Sequence, residues 1–156
     1  MSIRRDFPDL PPVWWAGTLA AQTAAAWVVP LVNFGGLWAD VLGGAAVILG
    51  LGLVVWSAVW FRRKRTSIEP REEPRALIVE GPYRLSRNPI YLGMAVGLFG
   101  TGFMLGSLSA IFLAALFPPV ITHRFILGEE AALRAAFGLD AKRYLARTRR
   151  WFGVSK

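Results

Sequence analysis

Gly52-Leu53-Val54-Val55-Trp56-Ser57-Ala58-Val59-Trp60-Phe61-Arg62-Arg63-Lys64-Arg65 ends a long apolar run in four consecutive cations. The run begins near Val41 and carries no charge up to Phe61, so it is long enough for a helix to cross the ~30 Å hydrocarbon of a bilayer. Over all 156 residues, 54% are hydrophobic and the mean hydropathy is +0.43. A soluble domain of this size seldom carries so much apolar residue, which makes an integral membrane protein the first expectation.

Working outward, three further apolar segments predict spanning helices at about 13–32, 89–105 and 108–127, beside the one at about 41–61. Asn33-Phe34-Gly35-Gly36 and Gly106-Ser107 read as turns between them. The fold expected is an all-α membrane protein with about four transmembrane helices, a single domain over 1–156, and an amphipathic region at 128–156 lying at the interface. Met1 to Pro12 reads as an irregular arm, and prolines 70, 74 and 82 argue against long helices between the second and third spans. No cleavable signal peptide is expected at the first apolar run, which starts after Pro11-Pro12 without a small-residue cleavage motif.

The charges agree with this layout. Every one of the 18 Lys and Arg residues falls in the N-terminal arm, in the connection between spans two and three, or from Arg124 onward. The other two connections carry none, so the positive-inside rule puts both termini in the cytoplasm, at the inner membrane if the chain is bacterial. The net charge of +8 is thereby explained by topology and by anionic lipid, not by nucleic acid. With no Cys and one His, disulfides, thiol nucleophiles and Cys/His zinc sites are excluded, and no metal is expected.

Trp14, Trp15, Trp38, Trp56, Trp60 and Trp151 fall at predicted span ends, where interfacial anchoring accounts for them. Gly93/Gly97 and Gly102/Gly106 have the small-xxx-small spacing of close helix packing. Gly97-Leu98-Phe99-Gly100-Thr101-Gly102 follows no strand and is not a dinucleotide fingerprint. Pro118-Pro119 predicts a kink, either a packing bend or the widening of a cavity.

Between the second and third spans lies Gly81-Pro82-Tyr83-Arg84-Leu85-Ser86-Arg87-Asn88-Pro89-Ile90-Tyr91-Leu92-Gly93. Such a density of stiff and hydrogen-bonding groups at the edge of the hydrocarbon predicts half of a binding site for a polar molecule. Pro89 suits the first turn of a helix, where its missing amide has no partner anyway. Ala76-Leu77-Ile78-Val79 is too short to span and is expected to lie against the membrane or line a pocket. Arg124, Glu129 and Glu130 share one helical neighbourhood. They make either a surface ion pair of little consequence or the walls of a pocket with Tyr83, Asn88 and Tyr91.

The stretch from Gly81 to Gly93 resembles the G-x-Y…R-H-P-x-Y-x-G signature of integral-membrane methyltransferases, among them the isoprenylcysteine carboxyl methyltransferases and the phospholipid N-methyltransferases. Glu129-Glu130-x-x-Leu133-x-x-x-Phe137-Gly138, with Tyr144 beyond, is similar to their E-E-x-x-L-x-x-x-F-G…Y motif. The resemblance covers the second half of the chain. It departs at Asn88, where relatives often have His, at Ala141, which replaces a tyrosine, and at Thr148-Arg149, where Val-Pro is usual.

The resemblance implies S-adenosylmethionine as methyl donor. It would be held by backbone of Leu77 and Ile78 and by Tyr83, Arg87, Asn88, Pro89, Tyr91, Glu129 and Glu130, with Arg124 and Glu129 nearest the chemistry. The acceptor implied is a hydrophobic molecule dissolved in the membrane, an isoprenylcysteine-like carboxylate or a lipid, with phospholipid amine N-methylation as the alternative. From other classes, a small four-span transporter would need an ionisable group in mid-membrane, and none falls there. A non-catalytic membrane scaffold is the third reading.

Overall fold

A computed structural model describes residues 9–64 and 74–153. Of the irregular arm expected over Met1 to Pro12, residues 1–8 lie outside the described residues, as do Pro70 and the last three residues, while Pro11 and Pro12 prove to be the first turn of a helix. The described chain is helical: α1 Pro11–Val28, α2 Leu37–Arg63, a single 3-10 turn Gly81–Arg84, α3 Pro89–Met104, α4 Leu108–Ile121 and α5 Leu127–Arg147. One isolated β bridge pairs Asn33 with Ser107.

Local chemistry sets the ends. Pro11 and Pro12 start α1, where no amide partner is lost. The helix was expected to reach residue 32 but stops at Val28, because Pro30 drives Val29 out of helical geometry (φ −138°, ψ 64°). α2 is longer than expected at both ends, and Arg62 and Arg63 form its last turn, where cations favour the helix dipole. α3 begins at Pro89 as the sequence indicates. α4 runs through Pro118 and Pro119 and passes without a break through a wide π-type turn, Thr122–Ile126, into α5. The irregularity expected at the prolines thus appears one turn later, where the Leu127 amide reaches back to the Thr122 carbonyl.

Among the described residues two helices are long and apolar enough to cross a membrane: α2, and the helical run from Leu108 to Arg147, whose apolar part ends at Leu127 and which kinks at Gly138 (φ 51°, ψ −118°). α3 is apolar but only 16 residues long, which at 1.5 Å per residue is about 24 Å. α1, diluted by Trp, Thr and Gln, does not join that set. The expectation of four full spans is met by two helices on this measure.

On α2 small residues face inward and large ones outward. α2 buries Ala39, Gly43, Gly50 and Ser57 while Leu42, Ile48, Leu49, Leu51 and Val55 stay exposed. In water that arrangement would leave a large apolar surface unsatisfied; facing lipid it costs nothing. The buried stripe of α2 meets α3 backbone to backbone. A Cβ added at Gly50 would come 2.5 Å from the Gly93 carbonyl oxygen, and one at Gly43 would come 2.6 Å from that of Gly100. The seam therefore uses Gly93 and Gly100, seven residues apart, whereas Gly97 has room for a methyl group and Gly102 faces Ile111 of α4.

Across the bundle, α1 is tied to α3 by Trp15 Nε1, which donates to the Met94 carbonyl (3.0 Å), and by buried Gln22, which donates to the Leu98 carbonyl (3.3 Å) and to the Thr101 hydroxyl. Trp15, Trp60 and Trp151 are thus half-buried packing residues rather than free anchors, whereas Trp27 is 81% exposed. The Phe34 amide donates to the Gly106 carbonyl (2.9 Å) and the Leu108 amide to that of Val32 (3.0 Å). These bonds set the two charge-free connections side by side at one end of the bundle. The Gly81–Asn88 junction and the start of α5 lie at the other.

Candidate active site

At that other end the chain encloses a cavity of about 480 Å3, within the ~300–1,000 Å3 usual for small-molecule sites. Phe61 at the end of α2, Tyr83 in the 3-10 turn, Pro89, Tyr91 and Met94 of α3, Phe125 of the wide turn, and Glu129, Leu133 and Tyr144 of α5 form its walls. Leu77 and Ile78 close one side, so the short apolar run between the spans lines a pocket. Every residue singled out from the sequence as a site candidate lines this one cavity: Leu77, Ile78, Tyr83, Arg87, Asn88, Pro89, Tyr91, Arg124, Glu129 and Glu130.

These residues nevertheless have different partners. The Tyr91 hydroxyl donates to Glu129 Oε1 at 2.6 Å. Among the described residues no Lys or Arg lies within ion-pair distance of Glu129. Its apolar surroundings raise its carboxyl above the ordinary carboxylate range, with the Tyr91 hydroxyl pulling the other way.

Glu130, the next residue, is 3% exposed and fully engaged. Arg87 Nη1 donates to Oε1 at 2.9 Å, and Arg150 forks onto both oxygens at 2.9 and 3.0 Å. Burial pushes this carboxyl up, but Arg150 and Arg87 outweigh it and hold it below the usual range. Two adjacent carboxylates thus have opposite environments, one neutralised by guanidinium groups and one turned to the cavity.

Arg87 and Asn88 also bond toward the protein. Arg87 Nε donates to the Thr148 carbonyl, and Asn88 Nδ2 donates to that of Arg150 at 3.0 Å. Arg124 neither pairs with Glu129 nor with Glu130. Its Nε donates to Asp9 at 2.8 Å, and its guanidinium stacks over Trp14, 5.3 Å from the ring centroid. It stands at the rim of the cavity, where a second, more open groove between α1 and α4 begins.

On the far wall, the buried Tyr144 hydroxyl donates to the Tyr83 carbonyl at 2.9 Å, and Tyr83 meets the Phe61 ring edge-on. Burial, with Tyr144 and Glu129 nearby, raises the Tyr83 phenol, so it stays neutral. Tyr144 and Arg150 were not among the sequence candidates. Tyr144 carried a signal, its place in the downstream motif. Arg150 carried none, since its acidic partner lies 20 residues upstream.

The cavity offers a half-buried carboxylate without a cationic partner among the described residues, set among aromatic and aliphatic walls. That donor set fits a small organic cation such as a sulfonium or an ammonium. A family model described as phospholipid methyltransferase matches residues 38–140, about two-thirds of the chain, and so contains both the Gly81–Gly93 junction and the Glu129-Glu130 pair. No curated protein and no solved structure matches the chain. The apolar helices and the family together mark a membrane-associated protein. By the extent of the match, the chain belongs to the phospholipid methyltransferase family.

Proposed function

We propose that this protein is a methyltransferase that uses S-adenosylmethionine to methylate a hydrophobic acceptor dissolved in the membrane, an isoprenylcysteine-like carboxylate or a lipid, at the cytoplasmic interface. The observation that carries the reading is the Tyr91–Glu129 bond inside a cavity lined by all the candidate residues. The proposed topology is one domain over 1–156 with four membrane-embedded helices. α5 lies at the surface and both termini are cytoplasmic, in keeping with the placement of all 18 cations.

S-adenosylmethionine would supply a methyl group on a positively charged sulfur, open to displacement by an acceptor atom in line with the departing bond. Glu129 balances positive charge in the cavity, and Tyr91 fixes the orientation of its carboxylate. Leu77, Ile78, Tyr83 and Pro89 shape the walls and exclude water, which strengthens the charge interaction. Arg87, Asn88 and Glu130 belong to the same binding set, acting through the frame they form. Arg124, at the rim, is placed to receive an anionic head group in exchange for Asp9. What the residues supply is chiefly alignment.

The family match favours phospholipid amine N-methylation as a second reading. An amine must lose its proton before it can attack, and among the residues lining the cavity Glu129, its pKa raised, is the group placed to take it.

Titration of detergent-purified protein with S-adenosylmethionine, followed by transfer of labelled methyl to extracted membrane lipids, tests both readings. Saturable binding and a labelled lipid are expected. An absence of saturable binding overturns the cofactor, and label confined to the amine head-group fraction selects the second reading.

A further inference from the structure

The C-terminal segment after α5 folds back over the outside of the junction. The Arg87 amide donates to the Arg149 carbonyl at 3.0 Å, and the Gly153 amide to the Leu85 carbonyl at 2.9 Å. The Arg150 carbonyl accepts both the Ser86 hydroxyl (3.2 Å) and the Asn88 side-chain amide (3.0 Å). Trp151 Nε1 donates to the Thr122 hydroxyl at 3.2 Å, anchoring the segment to the wide turn. The Arg150 guanidinium then closes on Glu130 with two bonds. Residues 148–153 therefore act as a strap that joins three parts of the site: the junction, the wide turn and the acidic pair.

Arg150 does not line the cavity. Its work is done from behind, through its carbonyl on Asn88 and its side chain on Glu130. We propose that Arg150 is a positioning residue for the cofactor site. By closing on Glu130, its side chain neutralises that carboxylate and fixes the strap whose Arg150 carbonyl meets Asn88, which holds the junction in place and leaves Glu129 as the carboxylate that meets positive charge in the cavity. The inference rests on the function proposed above and deepens it by assigning the strap to the same site.

Arg134 supplies the control. It also reaches Glu130, at 3.5 Å, but from an exposed position, and among the described residues it makes no hydrogen bond to the junction. Full-length protein in detergent would be compared as the unaltered chain, Arg150→Ala, Arg150→Lys and Arg134→Ala. Two quantities are read: hydrogen–deuterium exchange over residues 85–88 without ligand, and calorimetric affinity for S-adenosylmethionine.

Arg150→Ala is expected to speed exchange at 85–88 and to weaken binding by about 10- to 100-fold, the usual size of effects from groups that orient a binding residue. Arg150→Lys restores part of each and, if the alanine variant does not fold, carries the comparison alone. Arg134→Ala leaves both at the unaltered level. A lower melting temperature for both Arg150 variants, with exchange at 85–88 and affinity unchanged, overturns the inference and leaves the strap merely structural. Failure of the unaltered protein to bind S-adenosylmethionine overturns the proposed function instead.

Discussion

The Tyr91 phenol donates to the Glu129 carboxylate at 2.6 Å, joining the first turn of α3 to the first turn of α5 across the cavity. A hydrogen bond to a charged group contributes about 1.5–3 kcal/mol. Tyr91→Phe should therefore weaken S-adenosylmethionine binding roughly 10-fold or more. Glu129→Gln, which also removes the charge, should weaken it further. Calorimetry on both variants, with helix content checked by circular dichroism, decides the matter. Wild-type affinity in both would remove this pair from the site.

Because burial raises the Glu129 carboxyl, acid should protonate it above the usual carboxylate range. Binding of a cation should strengthen as pH rises through that elevated value, and Glu129→Gln should flatten the dependence. Stability runs the other way. A carboxyl whose folded pKa is raised contributes stability below its unfolded value, lost as pH climbs through the folded one. Affinity and melting temperature measured across mildly acidic pH should move in opposite directions, and parallel movement would refute the assignment.

Glu130 should behave as the opposite case. Its folded pKa is depressed, so its contribution is present above the ordinary value of 4.5 and is lost as pH falls through the lower folded value. Removing one partner from a buried ion pair costs about 3–5 kcal/mol. Glu130→Ala should thus lower the melting temperature markedly at neutral pH and less in acid. An equal loss at every pH would mean that Arg87 and Arg150 do not hold it ionised.

The helix seam predicts a contrast between neighbouring glycines. In Gly93→Ala the new methyl meets the Gly50 carbonyl oxygen at 2.5 Å, so two backbones must separate. Overpacking of this kind costs about 1–3 kcal/mol. Gly97→Ala meets nothing within 4 Å and should gain up to ~1 kcal/mol in helix propensity. Thermal unfolding in detergent measures both, and equal behaviour would place the seam elsewhere.

For Arg124→Ala the expected loss is in turnover and acceptor affinity, with binding of S-adenosylmethionine nearly intact, since Arg124 sits at the rim and is engaged with Asp9 and Trp14. Equal losses in both would argue against an acceptor role.

The sequence made the cavity's membership legible, because motif residues cluster where a loop enters α3 and where α5 begins. The helix start at Pro89 was equally readable, where a missing amide has an unambiguous consequence, whereas α1 begins at Pro11, inside the stretch expected to be irregular. The roles behind the walls were not. Asn88, Arg87 and Glu130 line the cavity, but each also bonds to the segment 148–150, 20 to 62 residues away, with no periodic pattern to announce it. Arg124 beside two acids suggests an ion pair with them, yet it pairs with Asp9, 115 residues distant. The count of long apolar helices also escaped, since α1 is diluted by Trp, Thr and Gln and α3 is only 16 residues long.

The wide turn at Thr122–Ile126 has a geometric effect on everything that follows it. One additional residue in a helical turn advances the remainder by about 100° around the axis. Without that offset, Glu129 and Glu130 would each point a quarter-turn or more away, off Tyr91 and off the guanidinium fork. The turn works as an indexing notch between α4 and α5, setting the angle at which the acidic pair leaves the shaft before the shaft bends at Gly138.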